Sequence, residues 1–282
     1  MFFLDNELQK INRCPWCGAE TWQVIYKTNC NVNKCSNCGF VFADKILNNK
    51  GRYKYWNNYC QNVHLANIEL NRKREKMYKL DAEFIDGFML DKKKEVLDIG
   101  CSKGEFLDVF KSMGYECFGI EYDDNAAKDA KKKYKVWNGD LEKIEIDRKF
   151  NLVTIRGTIQ YFINPKKYFD KISNLVADNG IIYISSSPNS ESLCFNLFKD
   201  KFTLPVTVTD YWVYSQKLLT KYFKSKNIDL LCDYDFYEQT PYCDLINDIV
   251  TVADKIKNGN KCIRKSPAFY GNMLTLVYRK NI

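Results

Sequence analysis

A run VLDIGCSKGEF at residues 96–106, followed by a strand-like segment ending in FGIEY at 118–122, constrains this chain more than any other feature. Val96, Leu97 and Ile99 make a short apolar run suited to a buried strand. Gly100 and Gly104 tolerate positive φ and let a ligand come close to the backbone. Phe106, Val109, Phe110 and Met113 then recur at helical spacing, and Gly114 ends the helix. Strand, glycine turn and helix in that order form a nucleotide-type binding corner.

The turn itself narrows the ligand. Dinucleotide corners read G-x-G-x-x-G, whereas here the glycines are spaced G-x-x-x-G with Ser102 between them. Asp98 stands just ahead of the turn, where a carboxylate favours a cation such as an amine and disfavours a pyrophosphate. Further strands are expected at Tyr115–Glu121, Lys135–Trp137, Phe150–Arg156 and Gly180–Ser186, with helices over about 123–133 and 165–177. Glu121 closes the second strand, the position from which an acid meets ribose hydroxyls. Asp140 follows the third, with Leu141 beside it. Strands at Ile228–Tyr237 and Gly271–Arg279, with a helix at Cys243–Lys257 between them, complete a doubly wound, Rossmann-like α/β fold of seven strands. The 187–215 insertion, rich in aromatics, is expected to wall the acceptor, because ligands bind at the carboxyl ends of such sheets.

The N-terminus carries a second signal. Cys14-Pro15-Trp16-Cys17-Gly18 is matched by Cys35-Ser36-Asn37-Cys38-Gly39. Two such knuckles give four thiolates for one tetrahedral metal, zinc first and iron as the lesser alternative. Cys30 lies between them as a bystander. A four-thiolate site is closed, so its zinc is structural and compensates for a core too small to fold alone. Trp22–Tyr26 and Phe40–Phe42 are expected to form its small sheet.

The chain of 282 residues has room for a zinc ribbon over 1–45, a helical aromatic-rich connector or lid over 46–80, and an α/β domain over 81–282. The connector holds Tyr53, Tyr55, Trp56 and Tyr59, and a helix from about Leu65 to Phe88 should pass the cofactor mouth. No apolar run is long enough to span a membrane, and the first ten residues lack a signal-peptide layout. With twelve cysteines, four of them assigned to metal and the rest scattered, the expectation is a reducing, cytoplasmic setting. The net charge of +8 is concentrated in Arg72-Lys73-Arg74, Lys92-Lys93-Lys94 and Lys131-Lys132-Lys133. The last two runs suit solvated faces, and the first leaves a phosphate-bearing acceptor open.

Asp98-x-Gly100-x-Ser102-x-Gly104, Glu121 and Asp140 together resemble the motifs of class I S-adenosylmethionine-dependent methyltransferases. With the paired CxxCG knuckles and the tyrosine-rich connector, the chain resembles the bacterial zinc-ribbon methyltransferases of the Methyltransf_23-like group, common in surface-polysaccharide and secondary-metabolite biosynthesis. The resemblance implies a cofactor site of Asp98, Gly100, Cys101, Ser102, Gly104, Glu121, Tyr122, Asp140, Leu141 and Arg156. The implied acceptor is a small molecule or a sugar-linked group, methylated on oxygen or nitrogen. Relatives place Glu-His after the fourth strand; this chain has Gln160-Tyr161 there, and Asp210-Tyr211 where another histidine is usual. Gln160, Tyr161 and Tyr211 are therefore the catalytic candidates, with Asp210 as a possible base. His64, the only histidine, suits a structural role better. An RNA methyltransferase is the alternative enzyme, weakened because no N/D-P-P-Y/F motif follows the fourth strand. A non-catalytic cofactor-binding protein is the third reading.

Overall fold

The computed structural model describes residues 3–59, 68–90 and 94–282. His64, Lys92 and Lys93, and the side chain of Tyr59, lie outside the described residues. The N-terminal part comprises β1 (Leu8–Lys10), β2 (Trp22–Lys27), β3 (Asn31–Cys35), β4 (Val41–Ala43) and β5 (Lys45–Leu47). Helices α1 (Asn49–Tyr59) and α2 (Ile68–Asp86) lead into β6 (Glu95–Ile99), α3 (Glu105–Ser112), β7 (Glu116–Glu121), α4 (Asp124–Ala130) and β8 (Lys135–Asn138). Then come β9 (Phe150–Arg156), α5 (Pro165–Leu175), β10 (Val176–Pro188), α6 (Leu193–Phe198), β11 (Trp212–Val213) and α7 (Gln216–Lys224). The chain closes with β12 (Ile228–Asp233), α8 (Leu245–Asn258) and β13 (Met273–Lys280).

The large sheet has seven strands in the order β12-β13-β10-β9-β6-β7-β8. β6 to β10 are parallel, and β13 inserts antiparallel between β10 and β12. β6 is buried at all five residues and β9 at six of its seven, as expected for strands covered by helices on both faces. Asp123 and Ser215 cap α4 and α7 by accepting backbone N–H groups, and Pro165 occupies the first turn of α5. The fifth strand is longer than the sequence suggests: it runs from Val176 and carries a register shift after it.

The small sheet, in the order β11-β4-β3-β2, takes one edge strand from the segment after β10, well beyond the ribbon in sequence. Trp212 pairs with Phe42, and Val213 with Val41. Trp16, in the first knuckle, packs edge-on against Phe169, Tyr214 and Tyr222. The segments expected as ribbon and as α/β domain thus share one core cluster, from Cys14 and Phe40 to Ile155 and Tyr214.

This pairing redirects the 187–215 insertion. Val206, Val208 and Tyr211–Tyr214 are buried against the ribbon, and the Val206 and Val208 carbonyls accept from the Thr28 hydroxyl and the Leu47 N–H. Of the expected acceptor wall, only Thr203 and Leu204 line the large cavity. Trp212 and Val213 of the insertion cover the open edge of β4 instead.

Candidate functional site

A cavity of about 610 Å³ opens at the carboxyl ends of the parallel strands. One lobe is built by the turns after β6, β7, β8 and β9: Gly100, Ser102, Glu121, Tyr122, Asp140, Leu141 and Arg156 all line it. Gly100 and Gly104 have φ of +83° and +86°. A Cβ on Gly100 would lie 2.5 Å from the Thr158 Oγ1, and one on Gly104 would lie 2.9 Å from the Tyr134 ring, so neither position accepts a side chain.

Glu121 organises this lobe. Its two carboxylate oxygens accept the Ser102 and Asp123 backbone N–H groups, each at 2.8 Å. Burial pushes its pKa up, against the pull of these amide bonds. One N–H on each oxygen leaves a lone pair on each, the arrangement that receives a pair of hydroxyls. Asp140 accepts the Arg52 guanidinium at 3.0 Å, the Glu142 N–H at 3.1 Å and the Tyr168 hydroxyl. Although burial alone would raise its pKa, the Tyr168 bond and the Arg52 charge hold it below the usual value. Arg156 donates to Asp81 at 2.6 Å and lies over the Tyr78 ring, tying β9 to α2.

Three residues of the expected cofactor set stand behind this wall. Asp98 is buried, accepts the Thr154 hydroxyl at 2.7 Å, and does not line the cavity. Burial raises its pKa to about 7, Thr154 and Arg156 opposing. Asp98, expected to face a cofactor amine from its place ahead of the turn, is engaged by Thr154 of the neighbouring strand β9. Cys101 is turned into the core near Gly119, and its burial raises its pKa. Gly104 acts at the α3 N-terminus rather than at the wall.

The second lobe is lined by Trp56, Met77, Tyr161, Phe236, Tyr237 and Phe269, with Asp235, Thr240 and Asn272 among them. Gln160 and Tyr161 reach the cavity; Tyr211 does not. Gln160 spans the Gly157 carbonyl and the Ser187 hydroxyl, at 3.0 and 3.2 Å. The Tyr161 hydroxyl donates to Asp210 at 2.9 Å, and its ring meets Trp56 edge-on. Asp210 also accepts from Thr209 and Thr207; burial raises its pKa, and these three hydroxyl bonds lower it only in part. Tyr211 is fully buried under Tyr161, its backbone engaged by Gln160 and Ala43, because the following strand joins the ribbon.

Sequence reasoning did not single out Arg52, Asp81 or Thr158. Arg52 lies 88 positions from Asp140, and no local spacing announces such a contact. α2, expected to pass the cofactor mouth, places Leu70, Arg74, Met77, Tyr78 and Asp81 on the cavity wall.

The four knuckle cysteines converge. Their sulfurs all lie within 4.8 Å of one another, with Cys14–Cys38 at 3.7 Å and Cys17–Cys35 at 3.5 Å. Tetrahedral zinc with 2.3 Å bonds requires sulfur–sulfur edges of about 3.8 Å, so the residues fit such an ion. Gly18 and Gly39 take φ of +76° and +75°, and each donates its N–H to the first cysteine of its own knuckle. Cys30 hydrogen-bonds Thr28 and stands outside the cluster.

A seven-stranded sheet with an antiparallel β13, a glycine turn after β6 and acids after β7 and β8 define a class I S-adenosylmethionine-dependent methyltransferase fold. The chain belongs to the Methyltransferase domain family Methyltransf_23, whose model matches residues 70–232. A viral relative, the 235L protein of Invertebrate iridescent virus 6, carries a methyltransferase name and is 27% identical over 150 residues. That match covers 50% of this chain and 54% of the relative, so the chain spans about half the length of the curated relative it matches. Among solved structures, a chain from the Haloferax volcanii complex of the Trm112 methyltransferase activator with a methyltransferase has a TM-score of 0.58 at 12% identity. It aligns over 80% of this chain and 98% of that one. Magnesium protoporphyrin IX methyltransferase of Synechocystis PCC 6803, solved with bound SAH, has a TM-score of 0.54 at 11% identity, covering 82% of this chain and 98% of its own. These two likenesses show the fold.

Proposed function

We propose that this chain transfers a methyl group from S-adenosylmethionine to an oxygen or nitrogen of a small-molecule or carbohydrate-linked acceptor. The observation that carries this is one continuous cavity: Glu121 and Asp140 line one lobe, and aromatic rings interleaved with Asp235, Thr240 and Asn272 line the other. Aromatic faces beside a few polar groups suit a sugar-like acceptor, and the surface-polysaccharide setting rests on the resemblance alone.

Bound in the first lobe, the cofactor supplies an electrophilic methyl on a sulfonium. Glu121 would hold the ribose hydroxyls and Asp140 the adenine amine. Gln160 and Tyr161 line the same cavity. For a hydroxyl acceptor, Tyr161 takes the acceptor proton on its phenolic oxygen while passing its own to Asp210. The acceptor O–H and sulfonium S–CH₃ bonds would break, the O–CH₃ bond would form, S-adenosylhomocysteine would leave as the neutral thioether, and Asp210 would end protonated. A buried carboxylate with a raised pKa suits that role, and positioning supplies the rest of the acceleration.

Zinc in the four-cysteine site would hold the ribbon against β11. The direct test is transfer of labelled methyl from S-adenosylmethionine to a panel of nucleotide-sugars, cell-surface glycans and RNA. Labelling of a sugar acceptor supports this reading. Labelling of RNA alone replaces it with the nucleic-acid alternative, and cofactor binding without any transfer supports the non-catalytic one.

A further inference from the structure

Helix α8 is turned inside out. At about 100° per residue, Leu245, Ile246, Ile249, Val250, Ala253 and Ile256 share one arc of roughly 140°. All six are exposed, Ile246 at 77% and Ile256 at 62%. The opposite face buries Asp248, Val252 and Lys255. Asp248 accepts the Tyr237 hydroxyl at 2.6 Å and the Asp244 N–H at 3.1 Å, and the Lys255 ammonium stands over the Phe198 ring. These buried polar anchors fix the rotation of the helix, so the outward apolar face is a product of the fold.

Ile263, 83% exposed, extends the apolar surface beyond the helix. Around it stand Lys257, Lys261, Arg264 and Lys265, all exposed, with Asp254 of α8 the acid that Arg264 and Lys257 act on, so that the segment keeps a net positive charge. The surface also adjoins the site. Residues 235–242 before α8 and 268–275 after it supply much of the acceptor lobe. The Lys73 ammonium lies over the ring of Tyr242, which brings the basic run at 72–74 to the same rim.

An apolar stripe flanked by cations matches the boundary of a bilayer with anionic headgroups. A second copy fits less well, because a two-fold contact sets this patch against itself and brings its cations together. We propose that α8 and the 259–265 segment seat this chain on an anionic lipid surface, with the acceptor lobe at headgroup level, where a lipid-carried acceptor is presented. No helix among the described residues is long and apolar enough to cross a membrane, and this mode needs none. The acceptor's placement rests on the function proposed above; the docking does not.

The test is co-sedimentation of the full chain with vesicles of phosphatidylglycerol and phosphatidylcholine, and of phosphatidylcholine alone, without cofactor. Binding should require the anionic lipid, weaken with salt, and fall about tenfold or more in two double variants. These are Ile246→Asn with Ile256→Asn, and Lys261→Glu with Arg264→Glu. All four side chains are exposed, and S-adenosylhomocysteine affinity should be unchanged. Absence of vesicle binding at low salt, or binding indifferent to both double variants, overturns the proposal. So does a wild-type dimer in sedimentation velocity that the isoleucine pair abolishes. Failed docking with intact S-adenosylhomocysteine binding removes the membrane surface and leaves the methyl-transfer reading standing; the converse result removes that reading instead.

Discussion

The Arg52 guanidinium donates to the Asp140 carboxylate at 3.0 Å, tying a helix that precedes the parallel sheet to the acid that follows its third strand. The same guanidinium lies over the Tyr122 ring, 4.5 Å from its centre. α1 therefore contributes to the same cavity wall as Asp140.

Arg52→Ala should leave the Asp140 carboxylate buried without its cation. Loss of one partner of such a pair costs about 3 kcal/mol. Chemical denaturation should show that loss, and titration should show weakened S-adenosylhomocysteine binding. Arg52→Lys should recover only part of both, since an ammonium lacks the flat face that lies on Tyr122. A stability change under about 0.5 kcal/mol in Arg52→Ala would show the pair to be energetically idle.

Asp98 makes stability pH-dependent with a defined sign. Burial raises its pKa to about 7 from an ordinary 3.8. The folded state therefore binds this proton more tightly than the unfolded state. The stability it contributes is fully present below about pH 4 and is lost as pH rises through about 7. Asp98→Asn keeps an acceptor for Thr154 and carries no charge. Denaturation at pH 5 and pH 8 should show the variant gaining on wild type at the higher pH. A difference that does not vary with pH would refute the buried-charge account.

The metal should be felt across the whole chain, because β4 pairs with β11 and Trp16 packs against α5 and α7. Metal analysis should find about one zinc per chain. Cys14→Ser or Cys38→Ser should lose it. Thermal unfolding of those variants should shift as one transition instead of shedding the ribbon alone. A metal-free protein with unchanged melting would remove the ribbon's structural role.

Tyr161→Phe deletes only the hydroxyl that faces Asp210. As a proton relay, the pair should contribute about 10²–10⁴-fold in turnover, with S-adenosylhomocysteine affinity unchanged. Asp210→Asn should show a similar loss. Tyr211→Phe should retain turnover, since that ring lies outside the cavity. Full turnover in Tyr161→Phe would place the proton acceptor elsewhere.

The α/β core was legible because parallel strands buried on both faces produce continuous apolar runs, and because a strand-to-helix turn at a ligand leaves glycines in fixed places. The paired knuckles were legible for the same local reason. Asp98 was legible as an acid, but its bond to Thr154 on the neighbouring strand, 56 positions away, was not. The 187–215 segment misled because its aromatics suit a pocket wall and a sheet edge equally well; only the unpaired side of β4 decides between them. Arg52 was invisible, since a contact spanning 88 residues leaves no trace in local pattern.

The cofactor is expected in the lobe that holds Glu121 and Asp140. Calorimetric titration of wild type, Glu121→Ala and Asp140→Ala with S-adenosylhomocysteine tests it most directly. The wild type should bind one molecule per chain, and each variant should weaken binding by about 1.5–3 kcal/mol, the range for hydrogen bonds to a charged group. No binding by folded wild type, or wild-type affinity in both variants, would place the cofactor elsewhere.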